Sequence, residues 1–237
     1  MRKNRASAPE PNRPFVRILI GPAFQKPSDT PPAFCALCVE LHKTWNDESF
    51  GLLRLARLLL TLIQFVNPFM LLNHLISLAG YLPGMVFVDV FVLGKLIVPA
   101  VVLASARVHL WAVILCAYFI ADTLLYLYGI VIIPNPTYKA ISYSRSLLLI
   151  IVGYIGMILS FACLYLGLNV IADIDTPLKA TYFSFVTAAT VGFGDIKPVT
   201  PSALRLVIFQ IFSSISFLTV FFAFFLGRLS PQKGKSR

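Results

Sequence analysis

The sequence has few charged residues. Lys, Arg, Asp and Glu make up only 13% of its 237 residues, and they are concentrated at the two ends and in short connecting segments. Hydrophobic residues make up 58%, and the mean hydropathy is +0.82. A soluble domain cannot bury that much apolar surface. The composition therefore excludes a soluble protein and predicts a membrane protein.

Cysteine is also scarce. The four Cys residues are too few and too scattered for a disulfide framework. Cys116 and Cys163 fall in apolar segments, where cysteine is usually a small core residue. Cys35 and Cys38 precede His42 at a spacing that resembles half of a zinc site, but a second pair of ligands is missing. Incidental thiols are favoured over a metal or redox role.

Acidic residues are half as frequent as basic ones, and the net charge is +10. No basic, aromatic-interleaved surface is present to bind nucleic acid, and basic flanks beside apolar segments more often orient a membrane protein. Residues 1–49 are basic and rich in proline, which predicts a disordered cytosolic tail. The expected partners therefore include membrane lipids and no nucleic acid.

Residues 50–82 carry one polar stripe at helical spacing before Asn67-Pro68 breaks the pattern. The stripe consists of Arg54, Arg57, Thr61 and Gln64. Such a helix can lie along the membrane interface with its arginines among headgroups, or cross as a kinked span with the stripe facing protein. The interfacial arrangement is favoured, because it keeps the basic N-terminus in the cytosol.

Residues 83–136 contain two apolar segments long enough to span a bilayer, Met85–Ala106 and His109–Ile133. Their very short connection predicts an antiparallel hairpin, which places Lys95 level with Asp122. Each charge alone would be expensive in hydrocarbon, so we predict an ion pair between them near mid-membrane. Asp89 has no partner that the hairpin geometry assigns; Arg54 and Arg57 are the candidates.

The most informative stretch is Thr190-Val191-Gly192-Phe193-Gly194-Asp195, between apolar segments Ser146–Leu168 and Ser202–Gly227. Gly192 and Gly194 permit unusual backbone angles, and alternating handedness would point successive carbonyl oxygens toward one axis. The string differs by one aromatic ring from the Thr-Val-Gly-Tyr-Gly loop of potassium channels. The segment therefore resembles the potassium-channel pore domain.

The resemblance implies an all-α membrane protein whose pore domain, residues 137–228, contains an outer helix, a re-entrant pore helix, the filter and an inner helix. A short basic cytosolic tail, residues 229–237, follows. The implied K+ ligands are the backbone carbonyls of Thr190, Val191, Gly192 and Phe193 and the Thr190 hydroxyl, with Gly194 completing the filter. Because one chain supplies one filter segment, a homotetramer is expected. K+ would be the permeant ion, with no organic cofactor.

The filter surroundings depart from the family pattern. Phe193 replaces a tyrosine, and Tyr182 and Phe183 stand where many members have tryptophan. An apolar contact of Phe193 with Phe183 is expected to brace the filter. The Tyr182 hydroxyl is expected to reach Asp195. Val186 occupies the place of a glutamate that pairs with the filter aspartate in some members.

The inner helix Ser202–Gly227 has no internal glycine, and Ser214 stands where many relatives have a hinge glycine. Counting from the filter predicts that Ile215, Leu218, Phe222 and Leu226 face the pore, and Ser214 is a further candidate for the pore lining. Phe222 could form a constriction at the cytosolic mouth, or the phenylalanines could simply fill lipid-facing and interhelical surface.

Charge around the two pore spans predicts their orientation. Lys139 and Arg145 precede the first span and Arg228 follows the second, whereas Asp173 and Asp175 lie between them. The positive-inside rule then places both termini in the cytosol, in a plasma-membrane protein. Two arginines far upstream of the pore do not form a voltage sensor, and no gating stimulus is indicated.

A potassium-selective channel is the favoured function. The alternatives are a non-conducting or modulatory subunit and a weakly selective cation channel. A membrane enzyme would need polar groups converging in the bilayer, and only Asp89, Lys95 and Asp122 are available. No enzymatic activity is therefore expected.

Overall fold

The computed structural model describes residues 41–42, 51–78, 81–105, 107–132 and 143–229. From residue 51 onward, the elements within these ranges are all α-helices. They are α1 (Leu52–Val66), α2 (Pro68–Leu78), α3 (Tyr81–Ala104), α4 (Leu110–Ile132), α5 (Tyr143–Leu168), α6 (Pro177–Ala188) and α7 (Pro201–Leu229). The tail predicted for residues 1–49 falls almost wholly outside the described residues, as do Cys35 and Cys38.

Four helices are long and apolar enough to cross a membrane. The spans are Val86–Ala104 in α3, Leu110–Gly129 in α4, Leu147–Leu168 in α5 and Pro201–Ala223 in α7. Helices α1 and α2 meet at an angle of 62° and, taken together as one bent span, would add a fifth. The prediction of an all-α multi-pass membrane protein is confirmed.

Helix α5 lies at the centre of the packing and contacts α3, α4, α6 and α7. It approaches the α3 backbone closely at Gly156, where an added Cβ would lie 2.8 Å from the Lys95 carbonyl oxygen. Pro99, one turn further along α3, has no N–H to donate to that carbonyl. The Lys95 carbonyl therefore faces a neighbouring helix that has no side chain at this point.

The hairpin of α3 and α4 contains a buried ion pair. Lys95 Nζ lies 2.5 Å from Asp122 Oδ2, and the two side chains are 7% and 6% exposed. Lys95 Nζ also donates to Thr123 Oγ1 at 3.1 Å, and Asn67 Nδ2 donates to Asp122 Oδ1 at 2.5 Å. The two charges thus lie at equal depth and neutralise each other, which is the arrangement that hairpin geometry predicts.

Asn67 also determines the bend between α1 and α2. Its Oδ1 accepts from the Phe69 amide at 3.0 Å, so the side chain caps α2, whose first residue is Pro68. The same oxygen accepts from the Tyr118 hydroxyl at 2.9 Å. Since Asn67 is also bonded to Asp122, the bend lies at the depth of the ion pair. This packing is what the alternative of a kinked span predicts for residues 50–82, and the choice between the two arrangements stays a prediction.

The polar stripe of α1 faces protein. Thr61 and Gln64 are buried, and Arg57 Nε donates to the Ile132 carbonyl at the end of α4, at 3.1 Å. The partner of Asp89 is neither of the two arginines suggested by the sequence. Arg145, at the start of α5, places Nη2 2.6 Å from Asp89 Oδ1. That pairing depends on how α5 packs against α3. The geometry of the α3–α4 hairpin gives no information about this packing.

Candidate pore loop and filter

The filter segment is preceded by a short helix, α6. The Thr176 side chain accepts from the Lys179 amide at 3.3 Å, and Pro177 is the first helical residue, where its missing N–H costs nothing. The helix ends at Ala188. Its carbonyl end carries partial negative charge and leads directly into Thr190, so it would favour a cation there.

The filter backbone alternates in handedness. Thr190, Gly192 and Gly194 have positive φ angles of 56°, 58° and 79°, whereas Val191 and Phe193 between them do not. The glycines reach this region without strain, but a threonine does so only when its surroundings enforce it. Two bonds to the end of α6 supply that constraint: Thr190 N–H to the Thr187 carbonyl at 3.1 Å, and Val191 N–H to the Val186 carbonyl at 3.0 Å.

One chain does not enclose the filter. Val191 is 52% exposed and Phe193 69% exposed, and a Cβ built on Gly192 or Gly194 would meet nothing within 4 Å. Across the described residues, no group of three or more His, Cys, Asp or Glu side chains could hold a metal ion. The filter segment therefore offers backbone oxygens from one side only.

Residues 147–230 match a protein-family model described as ion channel. The match covers α5, α6, the filter and α7, about a third of the chain. Residues 147–230 are therefore similar to a potassium-channel pore domain. Comparisons of the chain with curated proteins and with solved structures gave no match.

Aromatic packing beside the filter of this pore domain differs from the sequence prediction. Within one chain the Phe193 ring lies parallel to Tyr182, with centroids 6.4 Å apart and an interplanar angle of 3°. Phe183 is buried instead and meets Tyr165 of α5 edge-on, at 5.0 Å. Consecutive residues of a helix point about 100° apart, so Tyr182 and Phe183 cannot both face the filter. The predicted contact of Phe193 with Phe183 is absent from the chain.

The Tyr182 hydroxyl interacts with the Asp195 carboxylate. This interaction is the main reason why the pKa of Asp195 lies below its usual value and that of Tyr182 above it. Val186, expected at the place of a glutamate in some potassium channels, is half-buried, and its carbonyl accepts from the Val191 amide. Asp195 is thus held as an exposed carboxylate at one end of the filter.

Behind α6 lies a buried polar network that the sequence analysis missed. Gln210 of α7 accepts from the Tyr165 hydroxyl at 2.6 Å, and its Nε2 donates to the Ser184 carbonyl and hydroxyl, both at 2.9 Å. The Tyr154 hydroxyl donates to the Ala188 carbonyl at 3.2 Å. A glutamine in the middle of an apolar span was the available signal, because such a group needs a partner in the bilayer.

The inner helix α7 runs without interruption from Pro201 to Leu229. Ser214, predicted to line the pore or replace a hinge, is fully buried within the chain, on the face that also carries Gln210 and Phe217. Ile215 and Phe222 are exposed, and Leu218 is half-buried. The side chain of Leu226 lies outside the described residues. The exposed positions agree with the predicted face at Ile215 and Phe222, whereas Ser214 points about 100° away.

Proposed function

We propose that the protein is a potassium-selective channel of the plasma membrane, with both termini in the cytosol. The observation that carries this proposal is the alternation of backbone handedness from Thr190 to Gly194. An alternating backbone can turn successive carbonyl oxygens toward one axis. Those oxygens, with the Thr190 hydroxyl, would replace the hydration shell of K+.

Exposure of the filter supports assembly around a fourfold axis. One chain offers ion ligands from one side, and four filter segments would surround the ion. Exposed apolar side chains on α7, among them Ile208, Phe212 and Ile215, supply surface that neighbouring copies or the pore would cover. We therefore propose a homotetramer with cyclic symmetry.

A flux assay with a matched pair of glycine variants tests the proposal. Purified protein in liposomes should carry K+ down its gradient, with block by barium and little Na+ flux. Gly192→Ala should abolish the flux, because φ of 58° is unfavourable for a side chain by about 1–2 kcal/mol in each copy. Gly153→Ala is the control, since its added Cβ would meet nothing within 4 Å.

Two results would contradict the proposal. Equal flux of Na+ and K+ through the unmodified protein would refute selectivity and favour a weakly selective cation channel. A stable tetramer without flux under every condition tried would favour a non-conducting or modulatory subunit.

A further inference from the structure

The pore helix α6 is held from behind by one side chain of the inner helix. Gln210 is fully buried and joins three helices: it accepts from Tyr165 of α5 and donates to both the carbonyl and the hydroxyl of Ser184 in α6. Conduction through the filter, as proposed above, makes no use of this residue. An ionised or apolar side chain could not both accept from Tyr165 and donate to Ser184, as the amide does.

The polar groups of this network have hydrogen-bond partners only among protein groups. The Ser184 hydroxyl accepts from Gln210 and donates to the Ile158 carbonyl of α5 at 2.7 Å. Tyr165 is fully buried, so water cannot replace Gln210 as the acceptor for its hydroxyl. Unpaired polar groups are costly in the apolar interior of a membrane protein, and each member therefore fixes the position of the next.

Ser184 lies one turn before Ala188, the last residue of α6. The carbonyls of Val186 and Thr187, between these two, accept from the filter amides of Val191 and Thr190. A shift of α6 at Ser184 would therefore move the two acceptors that hold Thr190 in its positive-φ conformation. The path from Gln210 to the filter backbone consists of hydrogen bonds and one helical turn.

We propose that Gln210 is a positioning residue for ion selection. It holds α6 through Ser184, and thereby fixes the backbone of Thr190 and Val191, without contacting the ion. The effect on ion selection rests on the proposed channel function, whereas the effect on the filter backbone does not.

A pair of variants separates this role from simple support of the fold. Gln210→Met leaves the Tyr165 hydroxyl buried without a partner, so it lowers stability as well as removing the bond to α6. Gln210→Met combined with Tyr165→Phe removes both polar partners, and Ser184 keeps its bond to Ile158. The double variant should therefore recover much of the stability that Gln210→Met loses, while α6 still lacks its hydrogen bonds from residue 210.

The control is Ser213→Ala. Ser213 lies on the same buried face of α7, but its hydroxyl donates to the Phe209 carbonyl of its own helix, at 2.7 Å. Removing it deletes a buried hydroxyl without breaking a contact with α6. It should match the unmodified protein in every measurement.

Two measurements on the full-length protein read out the filter. Hydrogen exchange of a peptide covering residues 185–195 reports backbone opening, and reversal potentials in planar bilayers report the Na+ to K+ permeability ratio. In the double variant we expect the exchange rate of this peptide and the permeability ratio each to rise about fivefold, which corresponds to the free energy of one neutral hydrogen bond. Its unfolding temperature should stay close to that of the unmodified protein.

Unchanged hydrogen exchange in both Gln210 variants would overturn the positioning role. So would recovery of exchange and permeability together with stability in the double variant, since Gln210 would then only support the fold. Failure of the proposed function is visible separately: the unmodified protein would not discriminate K+ from Na+, while hydrogen exchange would still decide the role of Gln210.

Discussion

Asp122→Asn should destabilise the protein far more than its change in volume suggests. The substitution keeps the Oδ1 acceptor for Asn67 but leaves the Lys95 ammonium without its counter-charge, at 7% side-chain exposure. Breaking one partner of a buried pair costs about 3–5 kcal/mol. For a chain of this length that corresponds to a fall in unfolding temperature on the order of 10 °C.

The assay is thermal unfolding of the purified protein, followed by loss of the assembled peak in size-exclusion chromatography. Asp89→Asn is the matched control, because its pair with Arg145 is 28–38% exposed and lies near the end of the span, so breaking it should cost less than breaking the buried pair. Lys95→Met with Asp122→Asn removes both charges and leaves only one orphaned amide group. We expect that double variant to lose about 1–2 kcal/mol, less than Asp122→Asn alone.

The reasoning fails under either of two results. Asp122→Asn could prove as mild as Asp89→Asn, which would mean that the Lys95 ammonium reaches water or another acceptor. Alternatively, the double variant could be less stable than Asp122→Asn, which would mean that the lysine contributes by something other than its charge.

Three further predictions concern packing, the filter and the inner helix. Gly156→Ala should destabilise by about 1–3 kcal/mol in thermal unfolding, because its Cβ would lie 2.8 Å from a backbone oxygen, whereas Gly153→Ala should be neutral. Tyr182→Phe should raise the pKa of Asp195 toward its usual 3.8, since the lowering depends on that hydroxyl. Because the carboxylate adds stability only while its folded-state pKa lies below its unfolded-state pKa, the variant should be less stable near neutral pH and unfold at a higher pH on acidification; an unshifted midpoint would contradict it. Phe222→Ala should raise basal K+ flux if its exposed ring closes the pore, and unchanged flux would argue for a lipid-facing or interhelical role.

Features governed by neighbouring residues were predictable from the sequence. The cap of α6 by Thr176 and Pro177 and the positive φ at Gly192 and Gly194 follow from the chemistry of those residues. Lys95 and Asp122 lie at the same height along the hairpin, because the turn is short and each helical residue adds a constant rise. These inferences do not depend on which helices pack against each other.

Features governed by packing between distant helices were not predictable. The pairing of Asp89 with Arg145 depends on α5 lying against α3, and the burial of Phe183 depends on which side of α6 faces α5. Helix α6 is apolar around much of its circumference, so its sequence does not mark one side as inward. The depth of Asn67 likewise depends on a bond to Asp122, 55 residues later.

Polar and close contacts, rather than apolar matching, determine which helices pair in this protein. Apolar side chains gain little by leaving lipid for another apolar surface, so specificity must come from small residues and hydrogen bonds. Among its described side chains, the inner helix has such contacts at two positions: Gln210 bonds to α5 and α6, and Ser216 accepts from the Tyr128 hydroxyl of α4 at 3.1 Å. These positions are six residues apart, within about two turns of one continuous helix. The helix therefore cannot rotate or slide relative to the hairpin without straining the contact that holds the pore helix behind the filter.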